Sequence, residues 1–318
     1  MKRNVLRFLP VILFVSILVT GWLHRFWLFD SYRLIFYEPS SRIVELADRS
    51  GMSDLGKRLF YGAQPQLLLE DAFDQECQFA ELGLVLGCYK SSDIFILDVT
   101  DEQLESVEPV TAAHEMLHVV YARLNQGEID ELRELLDRQF ELITNERIIS
   151  EIDGYRNDPG ADLHNEMHSI FGTEQDELIP ELEEIYAPYF DDRSLVIAES
   201  KAYEKVFTEL EDEIEAFDAE LATLRTEINT LEEDIANLNT QINTDRARLE
   251  ALLESGNVPA YNAAVPGFNS TVNSHNAKVE QVKQKIKEYN EIVAERNANV
   301  AAKNNLIKSL DSNVQTIE

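Results

Sequence analysis

Basic side chains are scarce in this chain. Of its 318 residues 28 are Lys or Arg, against 59 Asp or Glu, which leaves a formal net charge of −31. A nucleic-acid partner is excluded on that balance, because a phosphate-binding face must be basic. The body of the protein as a whole is also poorly matched to anionic lipid headgroups. Cysteine is nearly absent: Cys77 and Cys88 are the only two, too few for a disulfide-rich miniprotein or a multi-cysteine zinc ribbon. Disorder throughout is excluded by what is present, since 44% of residues are hydrophobic and the apolar positions are strongly periodic. Histidine is rare but concentrated. Four of the six lie in two tight pairs, His114/His118 and His164/His168.

Long apolar runs are equally few. Phe8–Leu23 is charge-free for 16 residues, preceded by Lys2, Arg3 and Arg7 and followed by Arg25. At 1.5 Å per residue such a helix reaches about 24 Å, short of a ~30 Å hydrocarbon core. Arg7 and Arg25 can snorkel, and Phe26, Trp27, Leu28 and Phe29 extend the apolar stretch into the interface. The expectation is an uncleaved transmembrane helix within residues 1–35. A cleaved signal peptide is the alternative, but Thr20-Gly21-Trp22-Leu23-His24-Arg25 lacks the small residues of a cleavage site. The basic residues at the start keep the N-terminus cytoplasmic and put the remainder outside, a single-pass topology. Cys77 and Cys88, eleven residues apart, are then expected to pair in an oxidising compartment, the alternative being two buried thiols.

Beyond the anchor the patterning predicts an α+β, mostly helical protein. Ser40–Ser50 and Ser53–Tyr61 read as short helices with serine N-caps, and Gly83–Cys88 and Ile94–Val99 as strands. Helix resumes from Pro109, again over 128–149, and again from Ala161 to Phe171 with Gly172 as its stop. From Phe207 the apolar residues step by three and four: Leu210, Ile214, Phe217, Leu221, Leu224, Ile228, Leu231, Ile235, Leu238 and Ile242. After a break over 254–267, rich in glycine and proline, a second seam runs through Phe268, Val272, His275, Val279, Val282, Ile286, Tyr289, Val293, Val300, Ile307, Leu310, Val314 and Ile317. Two such helices predict an antiparallel coiled-coil hairpin over 199–318. Residues 199–254 carry 16 acids and 5 bases, and residues 268–318 carry 6 acids and 7 bases, so each helix is a less repulsive partner for the other than for a copy of itself. The hairpin is a candidate arm for a protein partner.

The chemistry concentrates in His114-Glu115-Met116-Leu117-His118, which matches H-E-x-x-H. Residues i and i+4 share a helix face, so both imidazoles can reach one metal ion, and Glu115 beside the first is placed as a general base. The alternative is a core helix with two hydrogen-bonded histidines. The helix from Ala161 offers three further donors. His164 and His168 are themselves i, i+4, whereas Glu166 lies about 200° from either; the helix cannot readily give one ion both the glutamate and the histidine pair.

In these residues the sequence resembles the zincin metallopeptidases, and more closely the gluzincin branch, whose third zinc ligand is a glutamate on a later helix. Asn165-Glu166-Met167-His168-Ser169 matches the N-E-x-x-S form of that branch. The resemblance implies a zincin-like domain over 36–198, a Zn²⁺ ion on His114, His118 and Glu166, Glu115 as catalytic base, and a peptide or protein substrate. It extends to bacterial membrane-anchored proteins that join this core to a coiled-coil tail. One departure stands out. No aspartate follows Glu166 by three or four residues, so the partner that should orient a ligand histidine is open between Glu174 and Asp162. The group that stabilises the transition state is likewise open among His168, Tyr186 and Tyr189, where ordinary packing is the competing explanation for the tyrosines.

Overall fold

The computed structural model describes residues 14–16, 18–77 and 85–310. Part of the expected membrane span (8–13 and 17), the start of the expected strand at 83–84, and Val314 and Ile317 of the second seam lie outside the described residues. Among those described, no helix is long and apolar enough to cross a membrane. The chain divides into two compact units, one comprising residues up to 206 together with a stretch from 306, the other residues 207–305.

The first unit is helical with one small sheet. Residues 14–16 and 18–23 are helical, followed by α1 (Arg25–Leu34), α2 (Ser41–Arg49) and α3 (Asp54–Gly62). Ser40 and Ser53 cap α2 and α3 as expected, accepting from the Ile43 and Gly56 amides. Within residues 1–35, α1 is not a free tether. Asp30 is paired with Arg123, and Arg33 with Asp93.

Strand β1 (Gln66–Leu68) and helix α4 (Glu70–Glu76) precede the hairpin of β2 (Gly87–Lys90) and β3 (Asp93–Leu97). The sheet order is β1-β3-β2, with β1 parallel and β2 antiparallel to β3. The Ile94–Leu97 stretch is therefore in the central strand, and β1 and β2 are the edge strands among the described residues. The turn between them is built from Ser91 and Ser92 at φ 55° and 75°, a left-handed pair for which Asn-Gly is the usual signal. Cys77, just past α4, is disulfide-bonded to Cys88 in β2 with the Cα atoms 5.9 Å apart.

Helix α5 (Val107–Tyr121) runs through the core and is buried along nearly its whole length. Glu108 in its first turn accepts from the Val99 amide at 2.9 Å and from Arg42 at 2.6 and 2.8 Å, tying the exit of β3 to the start of α5. The helix expected over 128–149 is two, α6 (Gln126–Phe140) and α7 (Glu146–Asn157). The break occurs because the Asn145 side chain accepts from the Arg147 and Ile148 amides and starts a new helix. Helix α8 (Leu163–Glu174) continues through Gly172, which is no terminator. A Cβ there would stand 2.3 Å from Leu117 Cδ1 and 2.9 Å from Tyr186 Cε1, so glycine is what lets α8 close onto α5 and α9 (Pro180–Tyr186).

Helix α10 (Arg193–Glu254) and helix α11 (Val258–Leu310) supply the second unit over 207–305. The expected 14-residue break shrinks to Ser255–Asn257, with Gly256 at φ 72°, and Pro266 is accommodated inside α11. The helices run antiparallel: Lys303 meets Glu211 at 2.6 Å, Arg296 meets Asp218 at 2.9 Å, Lys285 meets Glu227 at 2.9 Å and Lys278 meets Asp234 at 2.6 Å. Leu221, Leu224 and Ile292 form its buried centre, packed by Phe217, Tyr289 and Val293. The second seam is largely as expected, with Val282 and Leu310 buried and Tyr289 and Val293 on the buried centre. Ile286 departs from it at 42% exposed, and Ile292, outside the expected seam, is buried. The surplus acid of α10 is met by Lys285, Arg296 and Lys303, and Asn299 donates to Glu213.

Candidate metal centre

The site is assembled by the packing of α8 on α5. Along α5 only His114 and His118 are not fully buried, and their rings lie edge to face with centroids 4.7 Å apart. Their Nε2 atoms are 3.5 and 3.6 Å from one oxygen, Oε2 of Glu166. Tetrahedral coordination with bonds of ~2.1 Å needs donors about 3.4 Å apart, so these three side chains have the spacing to hold one divalent ion. Glu115 also brings an oxygen into the group, with His114, Glu115 and His118 all offering atoms within 4.8 Å of one another. Glu166 is the better third donor, since a single oxygen lies at near-equal distance from both imidazoles.

The electrostatics favour a cation here. For His114, burial is the largest influence and opposes protonation. The hydrogen bond to Glu166 and the charges of Glu115, Glu166 and Glu174 outweigh it and raise the pKa to about 9. His118 is pushed down, first by burial and then by the neighbouring His114. Burial works to raise Glu166, yet the two histidines hold it below the usual carboxylate range.

Ser169, one turn beyond Glu166 and fully buried, lies 3.2 Å from His118 Nδ1. In the tautomer that leaves Nε2 free for a metal, Nδ1–H donates to Ser169 Oγ, which fixes the ring plane. The partner sought for a ligand histidine is thus the serine of Asn165-Glu166-Met167-His168-Ser169. Glu174 instead binds Arg147 at 2.6 Å, and Asp162 caps α8 through the Asn165 amide.

A cleft of about 450 Å³ opens over these donors. One wall is α5 from Val107 to His118, and another is the chain from Val85 through Tyr89 in β2. Arg147, Glu151 and Tyr155 of α7 and Tyr203 of α10 line the remainder. At Gly87 the strand presses on the helix, where a Cβ would stand 2.6 Å from Thr111 Cγ2 and 2.7 Å from Glu115 Oε1. Only a glycine lets β2 lie this close to Glu115.

Three expected residues are elsewhere. His168 is fully buried, stacked on Tyr186 with centroids 5.1 Å apart, and Tyr186 donates from its hydroxyl to the His168 carbonyl at 2.8 Å. Tyr189 packs against the core, and its carbonyl accepts from the Ser53 amide. None of the three lines the cleft, because α8 turns His168 away from the face that carries Glu166. His164 is at the surface against Asp137, 3.0 Å away. The tyrosines of the cleft are Tyr89, Tyr155 and Tyr203. The last lies in the first turns of a helix whose apolar spacing reads as coiled coil, which conceals it.

Among the described residues neither ring nitrogen of His168 has a hydrogen-bond partner, and burial foremost, then His118 and His114, push its pKa down to about 3. Substitution by phenylalanine removes two unsatisfied polar atoms, a cost of ~1–3 kcal/mol, and keeps the stack. The extra ring volume offsets part of that gain. His168→Phe should therefore match or exceed the parent in thermal unfolding midpoint and retain its metal. A large loss of metal in a well-folded His168→Phe would return this residue to the site.

The chain matches no protein-family model, no curated protein and no solved structure.

Proposed function

We propose that the protein is a membrane-anchored, extracytoplasmic zinc metallopeptidase of the gluzincin type. The observation that carries this reading is the position of Glu166 Oε2, 3.5 and 3.6 Å from the two imidazole nitrogens of an H-E-x-x-H helix. His114, His118 and Glu166 would hold the ion, and three protein ligands leave a position for water or substrate. Bound there, Zn²⁺ would polarise the scissile carbonyl and lower the pKa of water toward neutrality. Glu115 takes the proton of the attacking water and delivers it to the departing amine. Strand β2, an edge strand among the described residues, borders the same cleft, so an extended peptide can add to it through main-chain hydrogen bonds. The extracytoplasmic assignment draws on the basic residues before the apolar run and on the Cys77–Cys88 bond, a feature of oxidising compartments.

The long helices of the second unit, with the surplus acid of α10, favour a protein partner on the hairpin. They also motivate the rival reading, a cell-envelope adaptor in which the metal centre only stabilises the fold. Zinc content and hydrolysis of an unfolded protein such as casein separate the two. One zinc per chain with chelator-sensitive proteolysis supports the peptidase. Stoichiometric zinc whose removal lowers the unfolding midpoint, with no proteolysis of casein or of a diverse peptide mixture, supports the adaptor.

The contact at Gly87 carries its own prediction. Gly87→Ala should bind zinc normally and lose turnover at least tenfold, since the methyl group must displace Glu115 or move β2. Metal analysis beside initial rates on casein checks it, and an alanine variant with parental rates would show that the strand yields without disturbing Glu115.

A further inference from the structure

Helix α1 is amphipathic in the reverse sense for a helix at the surface of a soluble domain. Its only carboxylate, Asp30, is 2% exposed and held by both terminal nitrogens of Arg123, at 2.7 and 2.8 Å. Gly62 packs against it so closely that a Cβ there would stand 2.9 Å from Oδ1. The apolar side chains point outward. Trp27, Leu28, Phe29, Tyr32, Ile35 and Phe36 are between 43% and 72% exposed. A charge fixed inside and a continuous greasy face outside mark a surface that something covers.

The chemistry of the rim identifies the cover. Each arginine bordering this face lies over an aromatic ring. Arg25 is 4.2 Å from the Phe26 centroid and 4.8 Å from that of Trp22. Arg58 is 5.1 Å from Trp27, and Arg33 is 5.5 Å from Phe29. From Trp22 to Tyr37 the chain has two arginines and no carboxylate but the buried Asp30, within a protein of net charge −31. The surplus acid that disfavours headgroup contact elsewhere is absent from this face. Amphipathic rings at an apolar boundary, with arginine guanidinium groups lying over them, suit the headgroup layer of a bilayer. Among the described helical residues before it, Phe14, Leu18, Trp22 and Leu23 are likewise 56–66% exposed.

We infer that the outer face of α1, continued by Ile35 and Phe36, is a phospholipid-binding surface that seats the first unit on the bilayer instead of leaving it tethered at a distance. The inference rests on the membrane-anchored reading of the preceding run. It has a consequence for the site: Arg123, which grips Asp30, stands two residues past the end of the helix that carries His114 and His118. The metal-site helix is thus braced against the lipid-facing one.

Trp22 and Trp27 are the only tryptophans, so Trp22→Phe leaves Trp27 as the single emitter in the full-length chain. The protein is placed in nanodiscs of phosphatidylcholine and phosphatidylglycerol, with matched discs whose lipids are brominated either high on the acyl chain or near its methyl end. Trp27 should lose most of its emission to the shallow bromines and much less to the deep ones. Adding Ile35→Glu and Phe36→Glu, both at exposed positions, should restore part of it. Unquenched Trp27 in disc-bound protein overturns the lipid-binding face and leaves the anchor standing. Quenched Trp27 in protein that alkaline carbonate strips from the discs supports the face and overturns the anchor. Protein that does not associate with the discs at all overturns both.

Discussion

Glu115→Gln should retain a full complement of zinc and lose turnover by more than the ~10²–10⁴ that general acid–base groups usually contribute. The substitution is nearly isosteric and leaves His114, His118 and Glu166 untouched, so the metal is expected to stay. What disappears is the acceptor for the proton of the attacking water. Glutamine cannot take that proton at any pH, and it also replaces an oxygen that orients the water with an amide that can donate. The side chain is confined: it is 3% exposed, and its Oε1 would lie 2.7 Å from a Cβ at Gly87. A neighbouring carboxylate therefore has no simple route into its place. Initial rates on casein, with zinc measured on the same samples, test the expectation. A rate near that of the parent, with zinc retained, would remove Glu115 from the chemistry and the proposed mechanism with it.

How much of this was legible without coordinates follows from which interactions have a local signature. The spacing of His114 and His118 is a property of the helix itself, and the 200° separation of Glu166 from His164 and His168 already divided the donors of α8 into two faces. The helix caps at Ser40 and Ser53 were readable for the same reason, since donor and acceptor lie three residues apart. Contacts made across the fold carried no such mark. Gly172 has the sequence character of a helix stop, and only the approach of Leu117 and Tyr186 explains why the helix continues through it. The Ser91-Ser92 turn lacks the usual glycine, so the pairing of β2 with β3, and with it the strand order, had no local signature. In the hairpin, hydrophobic spacing pointed rightly to Val282, Tyr289 and Val293 but also to Ile286, which is exposed beside the Lys285–Glu227 ion pair. Tyr203 reached the cleft from a helix whose apolar spacing gave no reason to look there.

Glu166→Ala should abolish stoichiometric zinc binding, while His164→Ala should not change it. The two residues share one helix and differ in direction. Glu166 Oε2 sits within 3.6 Å of both imidazoles, and His164 is turned outward to Asp137. Removing the glutamate leaves two protein donors, one fewer than the three that a catalytic zinc site keeps. It also removes the carboxylate that holds His114 and His118 together. Ser169→Ala provides a graded comparison on the same helix. It deletes the only hydrogen bond described at His118 Nδ1, and loss of an orienting partner of this kind typically costs 10–100-fold in metal affinity. Competition with a chromogenic chelator should therefore rank the variants, with His164→Ala equal to the parent, Ser169→Ala weakened and Glu166→Ala lowest. Circular dichroism guards against misfolding as the cause, since Glu166 and Ser169 lie on a helix whose packing through Gly172 and Phe171 is untouched by either change. Full zinc occupancy in folded Glu166→Ala, combined with loss in His164→Ala, would transfer the third ligand to the other face of α8 and require a rearranged site.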